Sequence, residues 1–120
     1  MRKKVLSSKI WVSFVAMVIL ASFTAITFAG EPTGDKRKGK YSYRKVYKAC
    51  MERGEVASER PFINPSDKTM AQWQRVFETK DFAEFKCSTE WVKLTPEELA
   101  DIYSYLYGGA ADSPSPAKCK

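Results

Sequence analysis

The sequence predicts a small all-α domain. Three segments carry apolar side chains at helical spacing, Pro- and Gly-containing connections separate them, and no stretch alternates long enough to argue for a strand. The first helix begins near Asp35 and ends by Gly54. Within it Tyr43, Val46, Tyr47 and Cys50 fall at i, i+3, i+4 and i+7 and form one apolar stripe, while Arg44, Lys45 and Lys48 face outward.

A turn-rich connection follows, because Pro61, Asn64 and Pro65 limit regular structure from about Gly54 onward. The middle helix starts around Ser66 to Thr69. Met70, Trp73, Val76 and Phe77 give it an apolar face, and Phe82 and Phe85 continue into a shorter turn before Cys87. The last helix has the clearest boundaries. Thr95-Pro96-Glu97-Glu98 combines an N-cap threonine, a proline at the first helical position and a glutamate placed to close a capping box, and Gly108-Gly109 ends the run. Leu99, Ile102, Tyr105 and Leu106 form its inward stripe.

Residues 1–29 read as an export signal. Arg2, Lys3, Lys4 and Lys9 precede a stretch from Ile10 to Ala29 with no charge, and Thr27-Phe28-Ala29 is an acceptable cleavage site. The apolar stretch is also near the ~20 residues that span a bilayer, so an uncleaved membrane anchor is the alternative. Either way residues 30–120 are expected outside the cytoplasm, in the periplasm or the extracellular space, as one domain with a Pro-rich tail from about residue 110.

The formal net charge of +6 includes the four bases of that segment. The remaining sixteen bases and fourteen acids are interspersed at about +2, which argues against a nucleic-acid partner. Lys36, Arg37, Lys38 and Lys40 form a short basic cluster that reads as a solvated helix face, lying where an acidic partner would bind.

A body of about 90 residues often needs a staple. Three cysteines are present, Cys50, Cys87 and Cys119, and in an oxidising compartment two would pair. Because Ser113-Pro114-Ser115-Pro116 cannot dock as a helix, a Cys87–Cys119 disulfide is expected to tie the tail down, leaving Cys50 free. The chain has no histidine, which removes Ser-His-Asp chemistry and most zinc sites, and the cysteines are too widely spaced for a zinc knuckle or a Cys-x-x-Cys redox pair. Glu97-Glu98 reads as helix capping, and no catalytic constellation or metal site emerges.

Gly34 to Tyr43, with Gly39 followed four residues later by Tyr43, resembles the first helix of class I c-type cytochromes, and Leu99 to Leu106 is similar to that family's last helix. The resemblance implies that the two terminal helices cross, with Gly39 at the contact and Tyr43 beside Tyr105 or Ile102. A glycine permits that close approach because it has no Cβ. Family members carry Cys-x-x-Cys-His at the end of the first helix. Here Tyr47-Lys48-Ala49-Cys50-Met51 stands in that register, so Cys50 matches the second cysteine while Tyr47 replaces the first and Met51 the histidine. Met70 corresponds at most to the distal methionine ligand, although it also opens the apolar series of the middle helix.

The resemblance therefore implies an exported, non-enzymatic, cytochrome c-like module in which Tyr47, Cys50 and Met51 are vestigial haem-attachment positions and no cofactor is expected. Its outer surface would dock onto a protein, such as a cytochrome or another respiratory or cell-envelope assembly. The alternatives are an atypical electron carrier holding covalent haem through Cys50 alone, and an unrelated helical adaptor stapled by a disulfide. Contact with a membrane follows only if residues 10–29 stay uncleaved.

Overall fold

The computed structural model describes residues 30–117. The expected signal or anchor, and Cys119, lie outside the described residues. Four α-helices follow in order, α1 Lys36–Glu52, α2 Met70–Thr79, α3 Ser88–Trp91 and α4 Pro96–Gly108, with 3₁₀ turns at Pro65–Asp67 and Ala83–Phe85. Among the described residues there is no strand, and no helix is long and apolar enough to cross a membrane.

The helix ends follow from local chemistry. Asp35 caps α1, its carboxylate accepting from the backbone N–H groups of Arg37 and Lys38 at 2.9 and 3.1 Å. Those bonds hold the Asp35 carboxyl below its ordinary value, the Lys38 N–H contributing most. Thr69 with Gln72 and Thr95 with Glu98 form reciprocal capping boxes at α2 and α4, and Pro96 occupies the first position of α4.

The core is the crossing of α1 and α4. A Cβ built on Gly39 would run into the backbone carbonyl of Asp101 and lie 2.9 Å from the Ile102 nitrogen, so only glycine allows the two backbones to meet there. Gly34, just ahead of α1, repeats the device one residue earlier in α4, where a Cβ would lie 2.5 Å from the Ala100 carbonyl oxygen. The buried Asp101 carboxylate locks the junction by accepting the Asp35 N–H at 2.8 Å. Tyr43 lies 6.1 Å, ring centre to ring centre, from Tyr105 on the same crossing, and Ile102 is fully buried beneath it.

The expected tether of the tail is corrected. Cys87 is bonded to Cys50, with the two Cα atoms 5.6 Å apart, and Cys119 takes no part in that bridge. The tail is held by hydrogen bonds instead. Ala111 N–H donates to the Lys68 carbonyl, Ala117 N–H to the Gly109 carbonyl, and Asp112 accepts the Met70 N–H at 2.7 Å. Two bonds of the tail therefore run to the start of α2, which no pairing of cysteines is needed to explain.

Candidate functional site

Two places merit a functional reading: the interior around Tyr47, Cys50 and Met51, and the outer cleft beside the same helix. The stripe of α1 turns Tyr47 and Cys50 fully inward, while Met51, one residue further, is half-buried at the helix end. Tyr47 has no exposed surface, and its hydroxyl donates to the Phe85 carbonyl at 2.9 Å. Burial pushes that hydroxyl up to about 12. The Tyr43 hydroxyl donates to the Ile63 carbonyl at 2.7 Å and is likewise raised, first by its burial.

Around Tyr47 the interior is filled with rings. Phe82 stacks on Trp91 at 4.5 Å and Phe77 on Tyr103 at 4.8 Å, while Trp73 and Phe85 lie 5.8 Å apart between them. Met70 opens α2 and packs half-buried against this cluster, as a core residue. A covalently held haem does not fit the residues present. A phenol stands where one thiol is required, the sulfur of Cys50 is already bonded to Cys87, and Met51 offers a thioether where imidazole is required. A single thioether through Cys50 would require the same sulfur atom that the bridge to Cys87 occupies.

The bridge sits in an ion-pair clamp. Arg53, just past α1, donates through Nε and Nη2 to the Glu90 carboxylate at 2.9 and 2.6 Å and through Nη2 to Glu55 at 3.1 Å. The Arg53 guanidinium holds the Glu90 carboxyl below its ordinary value. Cys50, Cys87, Glu55 and Glu90 lie within 4.8 Å of one another, which is metal-like spacing. Disulfide sulfurs are poor ligands, however, and the guanidinium already takes up the carboxylate charge. The group therefore acts as a staple closed by a salt bridge.

The outer cleft has a volume of about 740 Å³ and runs between α1 and the Pro61–Pro65 connection. Arg44, Lys45 and Lys48 line one wall and Arg60 the other, with Tyr41 and Tyr105 beside them and Glu59 as the sole acid in the lining. The four cations are exposed, and none is ion-paired among the described residues. Tyr41 is 70% exposed, unusual for so large a ring. The wall opposite α1 is held firmly, by the Tyr43 hydroxyl on Ile63 and by the Trp73 indole N–H on the Pro65 carbonyl at 2.8 Å.

The basic cluster singled out from sequence falls elsewhere. Arg37 and Lys38 line a smaller cleft with Glu97, Glu98 and Asp101 from α4, so acids of the same chain stand opposite them. Sequence pattern placed Arg44, Lys45 and Lys48 on the outside of α1 but gave no sign of Arg60, which reaches them through an irregular connection. The chain matches no family model, no curated protein and no solved structure.

Proposed function

We propose that this chain is an exported, haem-free, cytochrome c-like helical module that works by docking onto a protein of the cell envelope, with no catalytic step of its own. One observation carries the reading: Tyr47 is sealed in the interior by its bond to Phe85, directly beside a Cys50 whose sulfur is spent in a disulfide. A family pocket emptied of its cofactor would be a large and costly cavity. Here tyrosine, tryptophan and phenylalanine fill the corresponding interior. Support for the cytochrome-like arrangement comes from Gly39 and Tyr43 at the crossing of the first and last long helices.

The second reading, an unrelated stapled adaptor, is favoured by the Cys50–Cys87 bridge, which gives Cys50 a purpose independent of any haem ancestry. Both readings share the docking role. The deciding experiment expresses the full chain in a host with a working cytochrome c maturation system and measures the haemochrome spectrum of the exported protein. The expected result is no stoichiometric covalent haem. A Soret band at about one haem per chain that survives acid-acetone extraction overturns the proposal. Tyr47→Cys with Met51→His and Cys87→Ser, which frees Cys50 and restores the motif, tests the filled interior: haem uptake favours the cytochrome-like ancestry over the adaptor, and its failure is the result expected of an interior closed by aromatic side chains under either reading.

A further inference from the structure

We infer that the cleft between α1 and the Pro61–Pro65 connection is the docking site, and that its occupant is an extended acidic segment of the partner protein, with carboxylates at alternate positions. The inference rests on the docking role proposed above and names its surface and partner chemistry. Charge complementarity is the first ground. From Lys36 to Lys48 the chain carries seven bases and no acid, whereas the rest of residues 30–120 carries nine bases against fourteen acids. The amino-terminal part of that run meets Glu97 and Glu98, whereas Arg44, Lys45 and Lys48 meet only Glu59 and are joined by a further cation, Arg60.

Geometry is the second ground. Arg44 and Lys48 are four residues apart on α1, so their stems are separated by about 6 Å along the helix axis. Alternate residues of an extended chain point the same way about 7 Å apart. Two carboxylates in such a segment would therefore meet successive cations of α1, while Arg60 faces them from the other wall. Tyr41 and Tyr105 offer apolar ring faces with hydroxyl tips to the intervening side chains, which suits a protein segment better than a bare phosphate chain. Because one wall is a helix and the connection that forms the other is held by the Tyr43–Ile63 and Trp73–Pro65 hydrogen bonds, little ordering is required on binding.

The test uses the exported chain and a fluorescein-labelled peptide of about ten residues with Asp at alternate positions, read by fluorescence anisotropy at low salt. The expected result is saturable one-to-one binding that weakens at least about tenfold in Arg44→Glu/Lys48→Glu and less than about twofold in Arg75→Glu/Lys93→Glu, two exposed positions outside the cleft lining whose change alters the net charge equally. A peptide of the same composition with its Asp residues contiguous should bind more weakly. Equal losses in both variants would reduce the effect to net charge and overturn the site. Tighter binding of a heparin-derived hexasaccharide than of the peptide would assign the cleft to a sulfated glycan and also overturn the inference. The haemochrome measurement on the same sample keeps the two proposals apart: haem together with cleft-specific binding sinks only the haem-free reading, and haem-free protein without peptide binding sinks only this one.

Discussion

Replacing Gly39 by alanine sets two effects of opposite sign against each other. Alanine is favoured over glycine in a helix interior by about 0.8–1 kcal/mol, so an open site would gain stability. Gly39 is not open. The added methyl would meet the Asp101 carbonyl well inside the 3.0 Å that real Cβ atoms essentially never cross and lie 2.9 Å from the Ile102 nitrogen, and these atoms belong to a helix backbone that cannot swing aside. Relief requires α1 and α4 to separate. Overpacking of this kind costs ~1–3 kcal/mol, and a gap of about 0.5–1 Å opened along the rest of the contact forfeits a quarter to a half of its dispersion energy. We therefore expect Gly39→Ala to destabilise by about 2 kcal/mol net, which for a domain of this size lowers Tm by roughly 8–16 °C. Gly108→Ala is the control. Its methyl would meet only the Lys36 Cε and Nζ, at 2.8 and 2.9 Å, the far end of a flexible side chain, so a change within about 0.5 kcal/mol is expected. Calorimetry and denaturant unfolding of both variants decide the matter. If Gly39→Ala is as stable as the parent, the close crossing is wrong.

Two further outcomes are expected. Thiol counting on the denatured protein, produced in an oxidising compartment, should find one free cysteine, mapping to Cys119, and Cys50→Ala/Cys87→Ala should lose roughly 2–5 kcal/mol because the bridge closes a loop between residues 37 apart; a peptide linked to Cys119 would refute the pairing. The folded Glu90 carboxyl sits below its ordinary 4.5, so the stability its ionised form contributes is fully present above that value and is lost as pH falls through the depressed folded pKa. Denaturation of the parent and of Glu90→Gln should accordingly differ at neutral pH and converge in acid below 4.5, and a difference that stays constant would remove the Arg53 pair as its cause.

The three longer helices were legible because each declares itself locally. Thr95-Pro96 and Gly108-Gly109 bracket α4, and the spacing of Tyr43, Val46, Tyr47 and Cys50 gives the buried face of α1. The crossing at Gly39 was reached through the resemblance to the cytochrome helices and not through a local signal, because the spacing of apolar residues does not say which helix a glycine will meet. The disulfide was not. Cys87 is aimed at α1 by two consecutive left-handed residues, Lys86 and Cys87 with φ of 55° and 58°, and neither is the glycine that would have signalled such a turn. Cys50 read as an orphan only because its partner's direction was hidden there. α3 was missed for a related reason: four residues, Ser88–Trp91, are too few to show a period. The cleft depends on the path of the Pro61–Pro65 connection, which is fixed by Tyr43 and Trp73 from other elements, and no local rule carries that information.

The placement of the bridge has a consequence for how the molecule comes apart. Cys50 closes the last turn of α1 and Cys87 precedes α3, so the covalent ring contains the whole Pro-rich connection and α2. A protease that cuts after the exposed Glu59 opens the ring without releasing either piece. Nicked and intact chains would then migrate together until a reductant is added, after which an amino-terminal fragment carrying α1 and a carboxy-terminal fragment carrying α2 to α4 would part. Through that single sulfur linkage, half of the Arg44–Arg60 cleft would stay tethered to the other half after the backbone between them has been severed.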